Sequence, residues 1–188
     1  TDPGVRHSGD VDQALDFLAS LHRLRLAPGA DDLLPGSEPC FSGATLASGI
    51  TARRRRLGEV AGDHEPLREF LLSRFDSVFE QAVEKAERKY AAADMSFTAD
   101  IAKRDHTLSP SDFGFHNARR RTDGSLVFLD FEYFGWDDPV KLTADILLHP
   151  GMTLSAEEED RFRRGLADIY RGDVTYGSRL ATLWPLFG

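Results

Sequence analysis

The sequence predicts a predominantly helical α+β fold, on three observations. Apolar residues recur at helical spacing from Val11 to Leu24 and again after Pro66. An Asp-Gly pair at 123–124 separates two short runs that read as strands, which is the signal of a β-hairpin. Helix-start patterns return after the hairpin. The predicted order is therefore helices, one hairpin past the middle of the chain, and helices again.

The predicted helices begin and end at recognisable residues. Pro66 suits a first helical turn, where its missing N–H costs nothing, and the stripe behind it extends to about Ala93. Ser155 and Glu158 form a capping-box pattern ahead of another apolar stripe. The other expected boundaries are an Asp10 cap on the first helix, a short helix within 44–60, an Asp138 cap followed by Pro139, and a last helix from Ser178 to Trp184.

Composition limits the class of protein. The chain carries 23 Lys and Arg against 31 Asp and Glu, a formal net charge of −8. This charge argues against general nucleic-acid binding, because phosphates need a basic surface. The lone Cys40 excludes an internal disulfide and a multi-cysteine zinc site. No apolar run approaches the roughly 20 residues that span a bilayer. We therefore expect a cytoplasmic protein that binds neither nucleic acid nor a membrane.

The 188 residues predict one domain, although two small domains would also fit this length. Residues 27–45 are rich in Pro, Gly and acids, which predicts a loop or an insertion. The chain starts at Thr1 without an initiator methionine. We therefore expect that these residues belong to a longer gene product.

Polar residues flank both outer ends of the predicted hairpin. Asp112 and Asn117 precede its first strand, and Asp130 and Glu132 stand at the end of its second. Antiparallel strands lie about 5 Å apart, so the outer ends of a hairpin meet and these side chains should converge. Alternation places Asp130 and Glu132 on one side of the strand, and Phe131 on the other side, in the core.

These residue types suit phosphoryl transfer. Asp and Asn oxygens are the ligands that Mg²⁺ takes, together with phosphate oxygens. A second Asp, not bound to metal, can accept a proton from a hydroxyl nucleophile. Such a set is part of a phosphoryl-transfer site, where positioning and charge neutralisation supply most of the catalysis.

The spacing carries a resemblance to a known family. Asp112 and Asn117 match the D-x-x-x-x-N of a kinase catalytic loop, and a metal-binding D-F-x motif follows across the hairpin. The "DFEY" at 130–133, followed by "GWDDP", resembles the aminoglycoside phosphotransferase and choline/ethanolamine kinase group. The resemblance implies the C-terminal lobe of a protein-kinase-like fold over residues 1–188. Its strong motifs lie only between Asp112 and Pro139.

The resemblance also implies roles and ligands. Asp112 resembles the catalytic base, Asn117 and Asp130 resemble the Mg²⁺ ligands, and Glu132 resembles an outer-shell or second-metal residue. Members of the family transfer the γ-phosphoryl group of ATP or GTP to a hydroxyl of a small molecule. The expected cofactors are therefore Mg²⁺ and ATP or GTP, and the expected partner is a small-molecule hydroxyl acceptor.

The chain departs from the family pattern at three places. Pro110-Ser111 replaces the usual His-Gly before the catalytic Asp, and that His normally supports the loop. Leu142 stands where the family often has an Asp, and Asp145 lies one turn further along the same helix face. The sequence has no Gly-rich phosphate loop and no strand Lys before the first helix, so the N-terminal nucleotide lobe is absent from it.

Two other functions and several structural roles stay open. A kinase-like lobe could bind a ligand without transfer, or Asp112, Asp130 and His116 could form a Mg²⁺-dependent phosphohydrolase. His116 could instead only support its loop. Asp137 and Asp138 suit helix caps. The run Arg119–Arg121 could contact a nucleotide phosphate, although alternation turns part of it to solvent.

Overall fold

The structure is a computed structural model that describes residues 6–188. Residues 1–5, the first half of the polar start, lie outside the described part. The described chain forms seven α-helices and four short strands, which confirms the predominantly helical α+β class. They are α1 (Asp10–Leu24), α2 (Gly43–Val60), α3 (Glu65–Phe70), α4 (Asp76–Ala92), β1 (Thr107–Ser109), β2 (Ala118–Arg120), β3 (Leu126–Phe128), β4 (Gly135–Asp137), α5 (Pro139–Leu148), α6 (Ala156–Ile169) and α7 (Tyr176–Phe187).

The chain divides into two compact units. One comprises Thr1–Pro39 and Ala102–Gly177, and the other comprises Cys40–Ile101 and Ser178–Gly188. All four strands and every residue that the sequence singled out for phosphoryl transfer lie in the first unit. The expectation that residues 1–188 form one kinase-like lobe stays a prediction.

The predicted hairpin is present in the first unit. β2 and β3 pair antiparallel, with Ala118 opposite Phe128 and Arg120 opposite Leu126. The turn closes through a hydrogen bond from the Arg121 N–H to the Ser125 carbonyl, and Gly124 has a φ of +87°. Glycine adopts this left-handed conformation without steric cost, which explains the Asp-Gly signal.

A second two-stranded sheet was not predicted. β1 pairs antiparallel with β4, with Thr107 opposite Asp137. Residues 34–36 of the predicted loop lie against β4, because the Trp136 N–H donates to the Leu34 carbonyl and the Gly36 N–H donates to the Trp136 carbonyl. A Cβ on Gly135 would lie 2.4 Å from the Gly36 nitrogen, so only glycine fits this crossing. Part of the 27–45 loop is thus tied to a sheet.

Helix α1 fastens the hairpin. The Asp10 carboxylate accepts two hydrogen bonds from the Arg120 guanidinium, at 2.6 and 2.9 Å, and the Gln13 side chain accepts one from the Leu126 N–H. The prediction that Asp10 caps α1 was wrong: Gly9 is the N-cap, and Asp10 is the first helical residue. Its side chain instead joins α1 to β2, since it is nearly fully buried and needs a cationic partner.

Helices α5 and α6 begin as the sequence predicts. The Asp138 side chain accepts from the Val140 N–H at 2.7 Å ahead of Pro139, and Ser155 with Glu158 forms the capping box. These helices bury the apolar stripes that their spacing predicts. The fully buried side chains include Val140, Leu142, Ile146, Phe162 and Leu166.

The second unit departs from the prediction in helix lengths. The expected short helix within 44–60 is the 18-residue α2, capped by Ser42. The helix expected from Pro66 to about Ala93 consists of α3, one π-helical stretch over Leu71–Phe75, and α4. The apolar stripe is only partly buried there: Leu71 is 3 % exposed, whereas Val78 is 67 % exposed.

Helix α7 is longer than expected. It was predicted to end at Trp184, but it includes Pro185 and ends at Phe187. Pro185 cannot donate the hydrogen bond that its position would make, but only two helical residues follow it, so the helix loses one bond close to its end. Within residues 6–188, no helix is both long and apolar enough to cross a membrane.

Candidate functional site

Asp112 lies in the loop between β1 and β2, and the loop is held by aromatic packing. The next residue, Phe113, is 3 % exposed, and its ring contacts those of Phe17 of α1 and Phe128 of β3 at centroid distances of 5.5 and 4.7 Å. The residue before it, Ser111, has a left-handed φ of +63°. The Ser111 hydroxyl donates to the Tyr133 carbonyl at 3.0 Å, which joins this loop to the segment after β3.

Three side chains surround the Asp112 carboxylate. His116 Nε2 lies 3.1 Å from Oδ1, and His149 Nε2 lies 3.4 Å from the same oxygen. The Asn117 amide nitrogen donates to Oδ2 at 3.2 Å and to the Asp112 carbonyl at 3.0 Å. Asp112 itself is about half-exposed, so it remains open to a ligand.

The environment of Asp112 favours its ionised form. Burial alone would raise the pKa of the Asp112 carboxyl. Hydrogen bonds from His116 and Asn117, together with the charges of the His116 and His149 imidazoles, outweigh burial and lower this pKa. The residue is therefore a carboxylate at neutral pH, as a hydrogen-bond acceptor for a hydroxyl must be.

The two imidazole rings stack on each other. The His116 and His149 rings lie 4.3 Å apart between centroids, with 10° between their planes. The Gly151 N–H donates to His149 Nδ1 at 3.0 Å, so a neutral His149 carries its proton on Nε2, toward Asp112. His116 Nδ1 is buried without a hydrogen-bond partner among the described residues, so the ring is oriented by its Nε2 contact with Asp112 and by packing.

The hairpin brings Asp130 back toward Asn117. The Leu129 N–H donates to the Asn117 carbonyl at 2.9 Å, and Asp130 follows directly with a left-handed φ of +66°. Non-glycine residues in this conformation are uncommon and concentrate at functional sites. Because both hydrogen bonds of the Asn117 side chain use its nitrogen, its oxygen is left for a cation within the described structure.

The pKa of the Tyr133 phenol is affected by the carboxylates of Glu132, Asp130 and Asp112. A hydrogen bond with Glu132, the charge of that residue, and the charges of Asp130 and Asp112 raise the pKa of the Tyr133 phenol. No direct hydrogen bond joins Asp130 to Asp112 or Asn117 among residues 6–188.

The expected alternation after β3 was wrong. The strand ends at Phe128, and the left-handed backbone at Asp130 breaks the two-residue period. Phe131, expected in the core, is 40 % exposed and lies beside the Phe17 ring at a centroid distance of 5.9 Å. Glu132 is exposed as well. Phe113 and Phe128, rather than Phe131, are the buried anchors of this loop.

The remaining candidates have structural partners. Arg120 pairs with Asp10, while Arg119 and Arg121 are exposed. Asp137, expected as a helix cap, is the last residue of β4 and pairs with Lys141. Asp145 pairs with the same ammonium at 2.6 Å. Although burial opposes it, the charges of these two carboxylates raise the pKa of Lys141.

His149 is the site residue that sequence reasoning missed. It follows α5 in "HPGMTL", which indicates only the end of a helix. No spacing relates it to Asp112, because its contact with Asp112 arises from tertiary packing. Tyr133, adjacent to the acids it contacts, could have been found from the motif itself.

The donor atoms fit two different kinds of cation. Asn117, Asp130 and Glu132 offer oxygen atoms, which are the ligands that Mg²⁺ prefers. Asp112, His116 and His149 offer one oxygen and two nitrogens, and their donor atoms lie within 4.8 Å of one another. Imidazole nitrogens are instead typical ligands of Zn²⁺ and other transition metals.

Comparison of the chain with protein-family models, with characterised proteins and with solved structures finds no match.

Proposed function

We propose that this chain belongs to a small-molecule kinase, as a kinase-like C-terminal lobe that carries the acceptor-activating and metal-binding half of the site. The reaction moves the γ-phosphoryl group of ATP or GTP to a hydroxyl of a small acceptor. The observation that carries the proposal is the arrangement of Asp112, Asn117 and Asp130 around the hairpin ends, with Asp112 ionised and accessible.

The backbone at Ser111 supports the proposal. The resembled family has His-Gly before its catalytic Asp, and this chain has Pro110-Ser111. Ser111 has a φ of +63°, the conformation that glycine favours. The chain thus keeps a glycine-like backbone without the glycine, and the hydrogen bond from the Ser111 hydroxyl to the Tyr133 carbonyl helps to hold it.

In the proposed reaction, each residue has one role. The acceptor hydroxyl donates to Asp112, which orients it and takes its proton as its oxygen bonds to the γ-phosphorus. The bond from that phosphorus to the β-phosphate oxygen breaks, and ADP or GDP leaves. His116 and Asn117 hold that carboxylate in position. The Asn117 oxygen and the Asp130 carboxylate would hold Mg²⁺, which neutralises charge on the nucleotide phosphates, with Glu132 near the same ion.

The test, here and in every transfer assay below, uses the longer gene product to which these residues are expected to belong. It measures transfer of label from γ-³²P-ATP, and separately from γ-³²P-GTP, to a panel of hydroxyl acceptors that includes aminoglycosides, choline and ethanolamine. Asp112→Asn removes the base but keeps the size and the hydrogen-bonding shape of the side chain. We expect it to lower the transfer rate by about 10³-fold, the range of general-base catalysis. Asp100→Asn is the matched control, since Asp100 is exposed and belongs to the other unit.

Retention of wild-type transfer by Asp112→Asn would show that Asp112 is not the base. Asp130→Asn tests the metal role, because Asn tolerates the left-handed backbone at this position and removes the charge. We expect that variant to need more Mg²⁺ for half-maximal transfer.

Phosphohydrolysis is the second candidate function. It is favoured by the 3.1 Å contact between His116 and Asp112, which could activate a water molecule instead of an acceptor hydroxyl. The reaction products distinguish the two functions. A hydrolase releases inorganic phosphate from a phosphomonoester at a rate that no acceptor changes, whereas a kinase labels the acceptor.

A further inference from the structure

The carboxylate and two imidazoles of Asp112, His116 and His149 form the one three-residue group of metal-ligand type among residues 6–188. From its geometry we infer that these three residues bind a single Zn²⁺ ion, at a site separate from the proposed Mg²⁺ ligands. The binding inference stands independently of the kinase proposal.

The two ligand spacings that involve Asp112 fit a tetrahedral ion, and all three donor atoms lie within 4.8 Å of one another. Zn²⁺ binds nitrogen and oxygen at about 2.0–2.1 Å, which places neighbouring ligand atoms of a tetrahedron about 3.3 Å apart. Asp112 Oδ1 lies 3.1 Å from His116 Nε2 and 3.4 Å from His149 Nε2. Three protein ligands leave a fourth position for water, as in open zinc sites.

The surroundings orient the ligands. Asn117 donates to the other carboxylate oxygen of Asp112, which turns Oδ1 toward the two rings. A Cβ on Gly114 would lie 2.5 Å from His116 Cε1 and 2.7 Å from Met152 Sδ, so the ring is closely packed. Such outer contacts hold ligands in place and raise metal affinity.

The electrostatic setting attracts a divalent cation. The Asp112 carboxylate supplies the negative charge of the site, and Asp130 and Glu132 follow β3 in the same unit. Two nitrogen ligands favour Zn²⁺ over Mg²⁺, which prefers oxygen and keeps several waters. The proposed Mg²⁺ ligands Asn117 and Asp130 supply oxygen only, so the two ions select different places.

Zn²⁺ binding requires two local rearrangements. The stacked rings, now 10° from parallel, must tilt so that both Nε2 atoms point at one ion, and one hydrogen bond of His149 must break. In the structure, the Gly151 N–H donates to His149 Nδ1, which leaves the proton of a neutral ring on Nε2. A metal on Nε2 moves that proton to Nδ1, where it would face the Gly151 N–H. Binding therefore breaks this hydrogen bond, and the exposed Pro150–Gly151 segment has room to turn.

If the proposed kinase function holds, Zn²⁺ inhibits it. The ion takes the Asp112 oxygen that both imidazoles contact and lowers the basicity of the carboxylate toward an acceptor hydroxyl. Zn²⁺ is then a competitor of the base function and not a substitute for Mg²⁺.

The test is titration of the untagged protein with Co²⁺ and then Zn²⁺. We expect one equivalent of Co²⁺ to give the visible absorption of a tetrahedral N/O site, Zn²⁺ to displace it, and the Gly151 amide resonance to shift. His149→Gln should weaken binding at least tenfold, since loss of an outer-shell partner alone costs about 10–100-fold. His64→Gln is the control, because His64 is exposed in the other unit.

The inference is overturned if neither ion binds stoichiometrically, or if His149→Gln binds as tightly as the wild type while keeping its circular dichroism spectrum. Asp112→Asn gives a second ligand variant of unchanged shape. Failure of the kinase proposal is seen separately, as absence of label transfer in protein freed of Zn²⁺ and supplied with Mg²⁺.

Discussion

His149 Nε2 lies 3.4 Å from Asp112 Oδ1, so the residue that follows α5 contacts the loop between β1 and β2. The stacked His116 ring completes the contact. The carboxylate proposed as the base therefore depends on a segment outside the motif that identified it. Changes near this segment should alter Asp112 without changing the motif.

Gly114→Ala tests how closely the cluster is packed. The added Cβ would lie 2.5 Å from His116 Cε1 and 2.7 Å from the buried Met152 sulfur. We expect the variant to lose about 1–3 kcal/mol of unfolding free energy through overpacking, and to lose Zn²⁺ binding and label transfer. Gly172→Ala is the control, since a Cβ there meets no atom within 4 Å. Equal urea midpoints for the two variants would contradict the packing described here.

Asp10→Asn tests the pair that fastens α1 to the hairpin. Burial opposes ionisation of Asp10, but the Arg120 and His7 hydrogen bonds outweigh it and lower its pKa. The pair therefore gives its full stabilisation at any pH above the ordinary Asp pKa. This stabilisation is lost as the pH falls through the lowered pKa of Asp10 in the folded protein. Near neutral pH, we expect Asp10→Asn to lower the free energy of unfolding by about 3 kcal/mol, because it leaves Arg120 without its buried partner.

Asp12→Asn is the matched control for Asp10→Asn. Asp12 lies on the same helix and pairs with Arg161, but its side chain is 51 % exposed. Its loss should change the free energy of unfolding by less than about 1 kcal/mol. Urea denaturation at pH 7 and pH 3 measures both variants, and an Asp10→Asn protein as stable as the wild type at pH 7 would contradict the account.

His22 predicts a second pH dependence, at higher pH. Burial, with the charge of Arg25, lowers the pKa of His22 to about 4. The Arg25 side chain donates to Nε2, so Nδ1 carries the proton and lies 3.2 Å from the Thr107 hydroxyl. Folding favours the neutral ring of His22. Its contribution to the free energy of unfolding is therefore complete above about pH 6.5 and is lost as the pH falls toward 4.

The measurement for His22 is the free energy of unfolding at pH 7.5 and pH 5. Between pH 7.5 and pH 5, the wild type should lose about 1 kcal/mol more unfolding free energy than His22→Asn does. This value allows for solvent screening of a partly exposed ring. His64→Asn, which changes an exposed histidine, should behave as the wild type does. Identical pH profiles for wild type and His22→Asn would refute the neutral, buried state of His22.

Local signals in the sequence were enough to predict several elements. The Asp123-Gly124 turn, the Asp138 cap before Pro139 and the Ser155–Glu158 capping box depend on neighbouring residues, and all three are present. The hairpin also places Leu129, the neighbour of Asp130, beside Asn117, while convergence of the site side chains stays a prediction.

Features that depend on tertiary structure were missed. The β1–β4 sheet joins short strands far apart in the chain, and three-residue strands give no clear alternation. The left-handed backbone at Asp130 ended the expected strand early and exposed Phe131. Asp10 carries a capping signal, but its burial against Arg120 decided its role. His149 could be found only once α5 was packed.

The central claim is that Asp112 and Asp130 act in one phosphoryl-transfer site, and the most direct measurement is the transfer rate of the double variant Asp112→Asn/Asp130→Asn with Mg·ATP. Residues that act as a unit have strongly non-additive effects. We expect the transfer rate of the double variant to be about equal to that of Asp112→Asn alone. A rate reduction equal to the product of the two single reductions would contradict a shared site. Transfer at the wild-type rate by the double variant would contradict it as well.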